Sequence, residues 1–187
     1  MGFQMRTAIQ RMGVIDGYQP WQIDYSNVSA SSFSTANGSC TSSKCKLYAP
    51  DGGGVPDSFL AKKHRADASV CATAPTYAGQ HDFRNMSIKS VGIDNQRDLV
   101  LVILGVTLEL CKEVNNVFGI PNPSGAPPVD ATTGTVRYSG TLTQEVSLTQ
   151  SPVLGETANG ISGKQMFCAE TAAASGCYHV YYTLIER

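Results

Sequence analysis

Asp98-Leu99-Val100-Leu101-Val102-Ile103-Leu104-Gly105 runs directly into Val106-Thr107-Leu108-Glu109-Leu110-Cys111-Lys112-Glu113-Val114-Asn115-Asn116-Val117-Phe118, and the change of period within this stretch decides the fold class. The segment 98–103 is apolar without a break after its leading Asp98, the pattern of a buried strand. From Val106 onward the apolar residues recur at helical spacing. Val106, Leu110, Val114, Val117 and Phe118 share one stripe, while Glu109, Lys112, Glu113, Asn115 and Asn116 fall on the opposite side. Gly119 and Pro121 close the helix as a C′ glycine and a following proline. Cys111 lies beside the apolar stripe with its sulfur toward the core, a poor position for a nucleophile and a good one for a cross-link. A buried strand feeding an amphipathic helix belongs to an α+β architecture.

Downstream, 122–134 is a Pro/Gly/Ala loop, followed by β-like stretches at 135–143, 163–169 and 177–185. The last alternates Tyr178, Val180, Tyr182 and Leu184 against His179, Tyr181, Thr183 and Ile185. Both of its faces are fairly apolar, so this strand is expected to be central or covered. The link 171–176 is short enough for a hairpin between the last two strands. Upstream, Met86, Ile88 and Val91 alternate weakly and predict a strand over 86–93, and 61–72 has mild helical character. The segment 17–56 is rich in Ser, Thr, Asn, Gly and Pro and reads as a long wrapped loop ending in the breaker Asp51-Gly52-Gly53-Gly54-Val55-Pro56. Ahead of it, Met5, Ala8, Ile9 and Met12 sit at i, i+3, i+4 and i+7, opposite Arg6, Gln10 and Arg11. They predict a short amphipathic helix over 3–12, closed by Gly13.

The 187 residues suit one domain. Charged residues make up 16%, apolar residues 42%, and the net charge is −1, which offers no field for nucleic acid or an anionic membrane. The longest apolar run, 99–106, is too short for a bilayer, which takes about twenty residues. Six cysteines with abundant Ser, Thr and Gly suit an exported, disulfide-bearing protein. No signal peptide accompanies them, so the chain is expected to be a fragment whose targeting segment was removed, with Met1-Gly2 an added start that lacks the Ser or Thr of a myristoylation signal.

Chemistry-bearing patterns are sparse. His64, His81 and His179 stand in no metal-ligand spacing, no metal or cofactor motif is present, and no Gly-x-Ser-x-Gly elbow supplies a nucleophile. Gly52-Gly53-Gly54 lacks the Lys-Ser/Thr of a phosphate loop. Asp51, Asp57 and Glu156 could contribute to a loop calcium site, although loop carboxylates more often cap turns. Lys62-Lys63-His64-Arg65 reads as a solvated face. Asn27, Asn37 and Asn85 each open an N-x-Ser triplet, meaningful only in a eukaryotic secretory context. The expectation is no catalytic residue and no enzymatic activity, with Cys40, Cys45, Cys71, Cys111, Cys168 and Cys177 as disulfide partners. Fifteen pairings are formally possible. Short loops favour Cys40–Cys45 and Cys168–Cys177, leaving Cys71–Cys111, whose long loop would contribute roughly 3–4 kcal/mol.

Taken in order, an N-terminal amphipathic helix, a long disulfide-bearing loop, an antiparallel β part and a C-terminal cysteine loop resemble the soluble domains of bacterial type IV pilins and type II secretion pseudopilins. The residues are Gln10-Arg11-Met12-Gly13, Ser39-Cys40-Thr41 with Cys45 and the 51–56 turn, 108–116 leading to Gly119-Ile120-Pro121, and Gly176-Cys177-Tyr178-His179-Val180-Tyr181-Tyr182 through Arg187. The family's cleavage site and hydrophobic helix with Glu near its start are not in this sequence, as they would not be if the chain were cut to a soluble domain. The resemblance implies a single pilin-like domain over 1–187. In it, 3–13 is the end of a spine helix packed on an antiparallel sheet, 14–60 a loop region, and 86–187 the helix and β part. It implies a structural subunit held at the periplasmic face of the inner membrane by the removed helix, then assembled with other pilin-like subunits into a pilus or pseudopilus. Loops 26–60 and 120–134 would supply subunit contacts or recognition surfaces. A free secreted binding or adhesion module and an exported hydrolase are the competing classes. About twenty apolar residues directly before Phe3 would separate the filament subunit from the free module.

Overall fold

A computed structural model describes residues 2–26, 36–56, 60–67, 71, 78–92, 97–130, 136–138, 153–155, 160–171 and 176–187. The elements are helix α1 (Gly2–Ile15), strands β1 (His81–Met86) and β2 (Asp98–Val106), helix α2 (Leu108–Val117), and strands β3 (Val129–Asp130), β4 (Val136–Arg137), β5 (Met166–Thr171) and β6 (Tyr178–Ile185). Sheet order is β3-β5-β6-β2-β1-β4. The four long strands are antiparallel throughout, and the two-residue β3 lies parallel to β5 at one edge. The protein is therefore α+β. As its two-sided apolar pattern requires, β6 is central, between β5 and β2.

Period-two alternation divides the sheet into two covered faces. On the front face Phe83, Leu99, Leu101 and Leu184 meet Met5, Ala8, Ile9 and Met12, the whole of the predicted α1 stripe, together with Ile23, Tyr25, Leu47 and Val55 from the long loop. At the other end of this face, α2 covers Cys168 and Val180. On the back face Val100, Val102, Phe167 and Tyr181 are covered by Ile88, Val91, Ile120, Leu154 and Ile161 from connecting segments. Among the described residues no helix is long and apolar enough to cross a membrane.

Several boundaries depart from the sequence pattern. Gly13 does not stop α1: the helix continues to Ile15, and Gly17, at φ +73°, turns the chain so that the Tyr18 amide returns to the Met12 carbonyl. The predicted strand at 86–93 lies instead at 81–86: beyond Met86, Ile88 makes only an isolated bridge to Leu154, and Val91 is buried from a turn. Of the helix expected over 61–72 only the 3₁₀ turn Lys62–His64 forms among the described residues. β2 continues through Val106, so α2 starts late, at its N-cap Thr107, whose hydroxyl accepts the Leu110 amide. The strand expected over 135–143 is described only at 136–138.

The α2 stripe is rotated from its predicted position. Cys111 and Asn115 are its buried residues, whereas Val117 is 74% and Phe118 40% exposed.

The disulfides are Cys40–Cys45, Cys71–Cys177 and Cys111–Cys168. The first pairing matches the short-loop expectation, and the other two replace Cys168–Cys177 and Cys71–Cys111. The hairpin register explains why. Cys168 lies opposite Val180, and Thr171 opposite Cys177. Cys168 and Cys177 therefore stand three rungs apart, roughly 10 Å along the strands, and their side chains leave opposite faces. Cys168 points to the front face, where α2 presents Cys111.

Candidate functional site

The chemistry-bearing groups fall into two sets, those buried in the sheet and those displayed around α1. On the back face, Asp82 is fully buried and accepts from the Arg84 guanidinium at 2.6 Å. His179, in the central strand, is buried with Nδ1 3.0 Å from the Gly105 amide and 2.9 Å from the Tyr178 carbonyl. The amide can only donate, so the neutral tautomer with its proton on Nε2 satisfies it. Gly105 reaches this bond through a left-handed backbone, φ +57°, at a bulge in β2 that a β-branched residue would not adopt. Burial, reinforced by the positive Arg84, lowers the His179 pKa to about 4. A histidine so placed is a neutral structural acceptor near pH 7.

Asp98 is the second unusual group. Its side chain is buried where β2 begins, and Oδ1 accepts the Arg187 amide at 2.9 Å. Burial first, then the nearby Glu186 carboxylate, raises its pKa to about 7, against the bond from Arg187. The two shifts oppose each other. Between about pH 4 and 6.5 the folded His179 binds fewer protons than the unfolded chain, so its contribution to stability rises with pH. Between about pH 4 and 7 the folded Asp98 binds more, so its contribution falls. Asp98→Asn removes the second slope. Its unfolding free energy, from urea titrations at pH 4.5 to 6.5, should climb with pH more steeply than that of the parent by up to about 1.4 kcal/mol per pH unit. Equal slopes would exclude Asp98 as a titrating buried group.

The outer surface of α1 has a different character. Phe3 is 76% and Val14 86% exposed on the side opposite the stripe buried in the core, and Ile15, at the end of the helix, is 72% exposed. Arg6 lies 3.7 Å from Glu186 and donates to Gln165. Arg11 Nη2 donates to the Gly52 carbonyl at 2.7 Å and the Gly53 carbonyl at 2.8 Å, fastening the long loop along the helix. That loop is fixed internally by Cys40–Cys45 and by Asp24, whose amide donates to the Cys45 carbonyl while its carbonyl accepts the Leu47 amide. The result is a shallow groove of Phe3, Gln4, Thr7, Ala8, Arg11 and Gly53 beside the helix. The sequence places Arg11 on the polar side of the helix but carries no sign of this loop-fastening role, since its two acceptors are backbone carbonyls some forty residues away.

Other sequence candidates are dispersed. Asp51 accepts from the Ser43 hydroxyl within its own turn, while Asp57, Glu156 and Asn27 lie outside the described residues. Among the described residues no group of three His, Cys, Asp or Glu is placed to hold a metal. Asn37 and Asn85 are buried, and Asn37 Nδ2 donates to the Trp21 and Ile23 carbonyls, so in the folded chain neither can accept a glycan. Of the four residues 62–65 read as a solvated face, Lys62 and Lys63 are exposed, whereas His64 and Arg65 are half-buried and Arg65 Nε donates to the Leu60 carbonyl at 2.6 Å. Compared with known proteins, the chain matches no protein-family model, no curated protein and no solved structure.

Proposed function

We propose that this chain is the outward-facing domain of a type IV pilin-like or pseudopilin subunit, and that α1 is the surface through which it joins a filament. The observation that carries this reading is the two-sided α1. Met5, Ala8, Ile9 and Met12 fix the helix to the sheet, while Phe3, Val14 and Ile15 remain exposed. Exposed large apolar side chains on a rigid element favour burial against a partner. An antiparallel sheet carrying the helix, and long segments tied by disulfides, fit the same role.

In this role a hydrophobic helix preceding Phe3 holds the subunit at the periplasmic face of the inner membrane. It then packs with helices of other pilin-like subunits, so that this domain faces outward from a pilus or pseudopilus. Assembly requires no catalytic residue, cofactor or metal, and the reading assigns none. Three disulfides suit the oxidising compartment such a subunit enters. Photo-cross-linking from Phe3 and Val14 tests the role: adducts to a second subunit are expected, and the absence of any beyond those of an exposed surface control would contradict it.

A further inference from the structure

The outer edge of β5 is closed by a side chain and a loop. Gln165 and Thr171 direct their backbone bonds toward β6 and its end, Gln165 accepting the Thr183 amide and Thr171 donating to the Cys177 carbonyl. Alternation then turns the amides and carbonyls of Met166, Cys168 and Glu170 outward. At Glu170 the outward amide donates to the Pro128 carbonyl at 2.8 Å, beside the short parallel β3. At Cys168 the slot is filled by Asn115 of α2. Its Oδ1 accepts the Cys168 amide at 2.8 Å, and its Nδ2 donates to the Cys168 carbonyl at 3.0 Å. These are the two bonds an antiparallel neighbour would exchange with a single residue.

The same helix holds the same residue covalently, since Cys111, one turn before Asn115, is disulfide-bonded to Cys168. Asn122 accepts the second Nδ2 proton at 2.9 Å. Packing alone would not select this side chain. Asparagine is a poor helix former and costly to bury without partners, and a leucine would fill the space more cheaply. An uncovered strand edge, by contrast, is a template for pairing with another chain.

We infer that α2 is an edge plug, in which Asn115 takes the place of a further strand and keeps β5 from pairing with the same edge of a second copy. The plug lies on the sheet edge, away from α1, and stands whether or not the chain is a filament subunit.

The test uses the oxidised full chain carrying Asn115→Leu, which removes both bonds and keeps the Cys111–Cys168 link. Amide hydrogen exchange and sedimentation velocity are followed over a range of concentrations. At low concentration the Cys168 amide should exchange roughly tenfold faster or more. As concentration rises, a dimer should form and that amide should regain protection. A variant that stays monomeric at every concentration, or whose Cys168 amide exchanges as slowly as in the parent, overturns the plug. If Asn115→Leu does not fold, Asn115→Asp keeps the acceptor and, once ionised, loses the donor. Dimerisation on raising the pH supports the inference, and a monomer at every pH contradicts it.

Discussion

Replacing Cys71 and Cys177 together by alanine lowers the unfolding free energy by about 4–5 kcal/mol, among the largest losses expected from any local change in this protein. This cross-link spans 106 residues, against 57 for Cys111–Cys168 and 5 for Cys40–Cys45. In the chain-entropy account the restriction on the unfolded chain grows with the logarithm of loop length, so the corresponding figure for Cys40–Cys45 is nearer 2 kcal/mol. The position adds weight to the length: Cys71 and Cys177 are fully buried and join the segment ahead of β1 to the start of the central strand β6. For a chain of this size the loss corresponds to a fall in melting temperature of roughly 10–20 °C. Urea titrations of the double variant and of the Cys40/Cys45 double variant check the ordering. A smaller loss for Cys71/Cys177 than for Cys40/Cys45 would show that the long link does not organise the fold.

Met12→Ala should cost about 2–5 kcal/mol, as expected for truncating a fully buried side chain, whereas Val14→Ala, two residues along the same helix, should stay within about 0.5 kcal/mol. Met12 is entirely buried among Leu101, Leu184, Ile23 and the other front-face residues, and Val14 is 86% exposed. The contrast measures the two-sidedness of α1 directly in calorimetry. A similar small effect at both positions would mean that the helix is not docked on the sheet in solution. Large losses at both would mean that its outer side is buried too. Either result would remove the basis for assembly through α1.

Those features of the fold set by local periodicity were legible from the sequence. Met5, Ala8, Ile9 and Met12 predicted a helix face, and all four reach the core. The doubly apolar 177–185 predicted a central strand, which β6 is. What could not be read depends on register or on a distant partner. His81, Asp82, Arg84 and Asn85 make β1 look polar, yet the strand is covered because Asp82 pairs with Arg84 inside the protein. Cysteine pairing follows from which residues of β5 and β6 lie opposite each other, and sequence spacing holds no record of that. Asn115, an amide among charged and polar neighbours, reads as a solvent-side residue of α2. Its backbone partner, Cys168, is 53 residues away. Asp98 looked like the ordinary first residue of a strand, and only the fold places Glu186 and Arg187 beside it. The exposed ends of α1 fall between these cases: its buried stripe was readable, while the exposure of Val14 and Ile15 followed only once the helix was seen to pass Gly13.

The most direct test of assembly through α1 is photo-cross-linking in the cells that make the protein, with benzoylphenylalanine at Phe3 or Val14 and mass spectrometry of the adducts. The account predicts covalent adducts to a second subunit that carries an apolar N-terminal helix, formed from Phe3 and Val14 and not from the exposed Lys63 used as a control. Irradiation that leaves the Phe3 and Val14 variants monomeric, or links them to partners no differently from the Lys63 control, would contradict it.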